Sequence, residues 1–226
     1  MTPADWKRQG HLTPDIPDLQ KEAWALLATQ QQRLAVVLEE LAIRTAEPTW
    51  AATLRDGAGR SLDTAEALIE EAGPAALDAL GSDELLGEFL SFQGEVETSG
   101  HVPSLIVCGY AVLGELGAVP GRLLEEVAGP HGKLIAARFT ACESHRPLKG
   151  LLHAADPSPM DLERLRKLVR HCNGLLFGVY RSWRQTFHTL GVDGEWIDEQ
   201  CHDAARTAHH DLGMKWTRTD ARVFGA

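Results

Sequence analysis

Alternation of apolar and polar residues, the mark of a half-buried strand, is missing from this sequence beyond a few positions at a time. That absence excludes a sheet-based architecture. No fixed-period repeat is visible, which disfavours a solenoid. Clustered Lys and Arg are also lacking, and the formal net charge is −10, so the composition argues against a nucleic-acid partner or a basic membrane-surface helix. The four cysteines, Cys108, Cys142, Cys172 and Cys201, form no Cys-x-x-Cys pair of a zinc ribbon, and a disulfide framework is not expected in a chain this large without a secretory signal. No stretch of about 18 residues is uninterruptedly apolar. The opening MTPADWKRQGHLTPDIP has no hydrophobic core of a secretory signal. A cytoplasmic, reduced protein without a membrane span is the expectation. Gly-rich phosphate loops and a Gly-x-Ser-x-Gly elbow are absent as well. Arg outnumbers Lys 16 to 6, the bias of a GC-rich coding sequence, which points to a bacterial source.

What the 226 residues do contain is helical periodicity. The expected fold is all-α, a single-domain helical bundle of about five long helices plus several short ones. Residues 1–17, rich in proline, read as an extended arm whose Trp6 docks on the body or on a partner. Residues 18–226 form the single domain. The first helix runs from a cap at Asp18 to about Thr45 on the stripe Leu19, Ala23, Leu26, Gln30, Leu34, Val37 and Leu41. From Glu47 to Arg60 the pattern lapses, and DGAGR reads as a loop. Shorter helices follow over 61–72, 74–80 and 82–99, then breaks at Gly100-His101-Val102-Pro103. A strongly apolar helix spans 103–116, with further helices at 119–129, 133–145 and 147–154. The longest apolar stripe lies in 158–191, with Leu165, Val169, Cys172, Leu176, Val179, Trp183 and Leu190 at helical spacing. A last helix occupies 193–213.

Nine of the ten histidines lie from His101 onward. Histidine titrates near neutrality and is the commonest metal ligand, so its pairing with acids was followed along the chain. In WIDEQCHDAARTAHHDLG, Asp198 and Glu199 stand four and three residues before His202, and either can touch its ring. His209 lies on the same flank, but seven residues on, about 10.5 Å along the axis, too far to share one ion. The bland alternative is a solvated helix flank with an ordinary ion pair. In the long helix, Asn173, Tyr180 and Arg184 edge the apolar stripe, with His171 and Ser182 on its other side. Arg184 beside Tyr180 makes an anion hook if the helix is central. Glu95, Glu97 and His101 flank the Gly100 break, where cap or turn roles compete with ligand binding. Glu143, His145 and Arg146 precede Pro147, and there a helix C-terminus with a nearby cation is the favoured reading.

These groups point to a small-molecule enzyme whose acid–base unit is His202 with Asp198 or Glu199. His171 is a further catalytic candidate, and Tyr180, Arg184, Asn173, His101 and Glu97 would hold a small polar, anionic substrate. Elimination, isomerisation or cyclisation needs no more than this. No cofactor is preferred. A metal-dependent oxygenase with non-haem iron or haem is the alternative, built loosely from Glu40, Glu97, His101, Asp198 and His202. However, the carboxylate di-iron bundle wants two Glu-x-x-His motifs, and Glu199-Gln-Cys-His202 stands alone. The third reading is a non-catalytic helical partner subunit, or a homo-oligomer, suggested by the Trp6 arm and the heptad-like first helix.

Overall fold

The computed structural model describes residues 16–74, 84–127, 130, 133–134, 137, 139, 142–182, 188, 191 and 193–224, and these contain helices and no strand. Helix α1 spans Ile16–Arg44 and α2 spans Pro48–Ala72. Helices α3 (Glu84–Ser99) and α4 (Val102–Val107) follow, and α4 passes directly into a π-helical segment, Cys108–Leu116. The chain continues through α5 (Val119–Val127), α6 (Pro147–Ala155), α7 (Pro159–Ser182), α8 (Gly194–Asp211) and α9 (Arg218–Arg222). The expected all-helical class holds. Ile16 and Pro17, assigned to the arm by sequence, already belong to α1. The arm's Trp6 and the cap at Ser82 lie outside the described residues.

Two segments form the hub. Ala23 to Ala28 of α1 are buried without interruption, as are Leu105 to Gly114, so neither has a solvent-facing side there. The long helix α7, which the sequence marks as central, instead has one wet face. Leu165, Val169, Cys172, Leu176, Val179 and Tyr180 are buried, whereas Arg164, Lys167, His171 and Arg181 are exposed. Its apolarity beyond one stripe is accounted for by Leu168 and Leu175, which are half-buried against the core edge.

The loop expected at residues 47–60 is a continuous helix. Glu47 caps α2 by accepting from the backbone N–H groups of Thr49 and Trp50, and Pro48 occupies the first turn. The stripe Ala51, Leu54, Ala58, Ser61, Ala65 and Leu68 is buried along its length against α1. Gly57 lies in this stripe because a Cβ there would come within 3.3 Å of the Ser144 carbonyl and 3.4 Å of Leu38. Burial outweighs a glycine penalty of about 1 kcal/mol, and the local pattern misleads. Gly73 ends the helix with φ 77° and its N–H on the Ile69 carbonyl, the role its sequence context indicates.

The π-helical segment has no counterpart in the sequence pattern. Gly109 lets it lie against α6 and α1, since an added Cβ would sit 2.7 Å from Leu148 and 3.1 Å from Val37. At its exit the Gly117 N–H still reaches back five residues, to Val112, before Ala118 returns to α spacing with Gly114. The Leu116 carbonyl accepts from the Tyr180 hydroxyl at 3.0 Å, and Gln30 donates to that hydroxyl at 3.1 Å. Tyr180 is fully buried and ties α1, α7 and the π segment together. Tyr180→Phe should therefore lower stability by about 1–3 kcal/mol, measured by urea unfolding, because it strands a buried carbonyl and a buried amide.

Among the described residues one stretch, Val102–Arg122, is long and apolar enough to cross a membrane, with mean hydropathy 1.7. Most of that window is buried inside the bundle, as a core helix requires. Helix α9 and the strap leading to it, residues 212–217, extend the fold beyond the last helix read from the sequence.

Candidate active site

The π segment and a tight turn after Cys142 bring a carboxylate and an imidazole together. Glu143 adopts φ 41°, a left-handed conformation that reverses the chain and swings His145 back over the bundle. Its Nε2 lies 3.0 Å from Glu115 Oε1, and both side chains are largely buried. Arg122 of α5 sits on the other carboxylate oxygen at 3.7 Å. Gly114 is the floor beneath the ring, where a Cβ would stand only 2.3–2.7 Å from His145 atoms. The two residues are 30 apart in sequence, so no local spacing reveals the pair; the sequence around His145 suggests only a helix C-terminus with a nearby cation. Glu143 instead pairs with Arg146 at the surface.

The ring of Tyr110 meets His145 edge-on, with centroids 5.3 Å apart. Its hydroxyl donates to Asp211 Oδ2 at 2.6 Å, and Lys149 holds Asp211 Oδ1 at 2.8 Å. Burial, then the Asp211 bond, push the Tyr110 phenol well above its ordinary range. Although burial opposes it, the Lys149 and Tyr110 bonds hold Asp211 below the usual carboxylate value. Glu115 and His145 open onto a cavity of about 100 Å³, with Arg122, Arg146, Gln31 and Cys142 also in its wall. Such a space admits a molecule of a few heavy atoms. A buried carboxylate–imidazole pair with a flanking guanidinium can move a proton and hold an anion.

The residues singled out by sequence do not converge there. His202 turns its ring edge onto Trp216 and Phe224, at 5.4 and 6.3 Å, and its nearest acid is Asp203 at 3.7 Å, not Asp198 or Glu199. The strap after α8 supplies Trp216 and the segment after α9 supplies Phe224, and burial against these rings outweighs an i, i+4 pair. Asp198 is half-buried near Cys201, whose thiol is pushed up by burial and by that charge, with Arg122 opposing. Glu199 is exposed. His171 is exposed on α7, edge-on to Phe92 at 4.5 Å. Tyr180 is the structural tie described above. Asn173 is buried with neither side-chain atom hydrogen-bonded. His101 takes the cap position of α4 and pairs with Ser104 at 2.8 Å, the turn role that competed with ligand binding. Glu97 pairs with Arg33 at 3.3 Å and Gln93 at 3.1 Å, and burial pushes its carboxyl up. Arg184 lies outside the described residues. His209 is buried, with Nδ1 on the Ala205 carbonyl at 2.8 Å and Nε2 accepting no hydrogen bond; burial holds its pKa down.

A di-metal centre needs several carboxylates and imidazoles on one spot. Among the described residues no group of three or more His, Cys, Asp or Glu is placed to hold a metal ion. Glu40 is tied to Arg44 at the surface and Glu97 to Arg33. The buried polar residues described on α1, α3 and α7 are Gln30, Gln31, Gln93, Arg166, Asn173 and the phenol Tyr180, none of them a carboxylate. The described donor set does not fit such a centre.

The scaffold has a solved counterpart. The chain superimposes on "Protein 19 with aldehyde deformylating oxidase activity" from Synechococcus with a TM-score of 0.75. The likeness covers 93% of this chain and 98% of that one at 16% sequence identity, so it is one of fold. No family model matches the sequence, and no curated protein matches it either.

Proposed function

We propose that the protein is a helical enzyme whose acid–base unit is His145 with Glu115, acting on a small anionic molecule. The observation that carries this is the 3.0 Å Nε2–Oε1 contact at the wall of a polar cavity. Glu115 orients the ring through Nε2 and stabilises the imidazolium, leaving Nδ1 as the second proton site. Arg122 and Arg146, which pair with Glu115 and Glu143 in the same wall, are the guanidinium donors that an anionic group of the substrate would meet. Proton abstraction at one atom and return at another, as in an isomerisation or an elimination, uses these groups alone. A panel of small carboxylic and keto acids, followed by proton exchange in NMR with the wild type and His145→Ala side by side, tests it. Exchange that is the same in both proteins removes the proposal.

A second reading, a metal-dependent oxygenase, draws on the fold shared with a protein of aldehyde deformylating oxidase activity. That likeness favours it over the acid–base reading, whereas the described side chains favour the reverse. Metal analysis separates the two. Protein expressed with added iron should contain well under one equivalent of iron, manganese or haem, and chelator treatment should leave its melting temperature unchanged. Stoichiometric metal overturns the His145–Glu115 reading in favour of the oxygenase.

A further inference from the structure

On the far side of α7 from the hub, its wet face and α9 enclose a second, open groove of about 520 Å³. Its rim is cationic: Lys167 and Arg170 come from α7 and Arg222 from α9. Leu175 and Val223 give it an apolar floor, and Gly174 brings α9 close enough that an added Cβ would lie 3.6 Å from Val223. Among the described residues no carboxylate lines it. The chain as a whole carries a formal charge of −10, so this concentration of cations runs against the average surface.

The nearby acids are already engaged. Arg166, itself largely buried, places Nη1 at 2.8 and 2.7 Å from the two oxygens of Asp220 and binds Glu163 through Nε and Nη2. Arg170 reaches Asp220 only at 3.6 Å and Lys167 reaches Glu163 only at 3.9 Å. Four cations therefore face two carboxylates, which leaves two positive charges uncompensated at the groove. His171 adds ring nitrogens beside them.

We propose that this groove binds a phosphate monoester bearing an apolar chain. Two surplus charges match a phosphate dianion better than a carboxylate, guanidinium and ammonium donors bond its oxygens, and the Leu175–Val223 floor covers the chain. The site is independent of the His145 cavity and of what reaction that cavity performs.

Calorimetric titration of the whole protein with n-octyl phosphate in low-salt buffer tests the proposal. Octyl phosphate should bind, and inorganic phosphate should compete more weakly. Lys167→Glu with Arg222→Glu, at two exposed positions, should weaken binding by at least about tenfold. An unchanged melting temperature shows that the variant is folded; if it shifts, Arg222→Gln alone serves. The proposal is overturned if the wild type gives no heat, if octanoate or 1-octanol binds as tightly as octyl phosphate, or if the charge-reversed protein retains its affinity.

Discussion

His145→Ala is expected to reduce turnover by on the order of 10²–10⁴-fold, the range a positioned general acid–base contributes. Glu115→Gln should lose a large part of the same factor. The glutamine keeps a bond to the ring but no longer stabilises its charged form. Gly114→Ala provides the geometric counterpart. Its methyl would overlap the His145 ring at 2.3–2.5 Å, so the ring must leave Glu115 although neither partner has been altered. Activity should fall in this variant nearly as far as in His145→Ala, and the His145 ring resonances should move in NMR. If Gly114→Ala remains fully active, the ring position seen here is not the working one. His202→Ala is the contrasting case. Its ring packs on Trp216 and Phe224, so its loss should lower stability while leaving the rate per folded molecule intact.

The largest stability effect should come from the Arg166–Asp220 pair. Both side chains are nearly inaccessible, and the pair clamps α9 to α7. Thr217 closes the α9 capping box on the same carboxylate. Asp220→Ala leaves a buried guanidinium with Glu163 and a long bond to the Thr217 hydroxyl, and Arg166→Met leaves a buried carboxylate approached by Arg170 and Thr217. Either should cost about 3–5 kcal/mol, read as a shift in the urea midpoint at constant slope. A loss below about 1 kcal/mol would show the pair to be solvated in solution.

The same carboxylate predicts the response to acid. Burial alone would raise the Asp220 pKa, but the Thr217 and Arg166 bonds outweigh it and hold the group below its ordinary value near 3.8. The folded state therefore prefers the ionised form. Its contribution is complete above the unfolded pKa and is lost as pH falls through the lower folded value. Unfolding free energy should thus drop below about pH 4, and the drop should be smaller in the Asp220→Ala protein.

Local pattern was sufficient where burial follows a helical stripe. The described positions of the apolar stripes of α1, of 103–116 and of the long helix lie in the core, and Gly73, Gly100 and Gly191 all take the positive φ expected of glycines at breaks. It failed at 47–60, because two glycines and scattered charges look like a loop until α1 and Ser144 press against Gly57. It failed again at α9, whose short span is held by Arg166 from 54 residues earlier. For the site, the three-and-four spacing rule pairs His202 with Asp198. A side chain near a helix flank will nevertheless leave such a pair when aromatic rings cover it.

The helical class, the acidic balance and the lack of Cys-x-x-Cys and phosphate-loop motifs are legible in the amino-acid sequence, since these depend on composition and on contacts within a few residues. The sequence also contained His145. Three-dimensional packing was needed to show that His145 meets Glu115, that α7 is a rim helix, and that its cations line a groove. Each of these joins residues on separate elements, and the one-dimensional pattern carries no information about which elements will be neighbours.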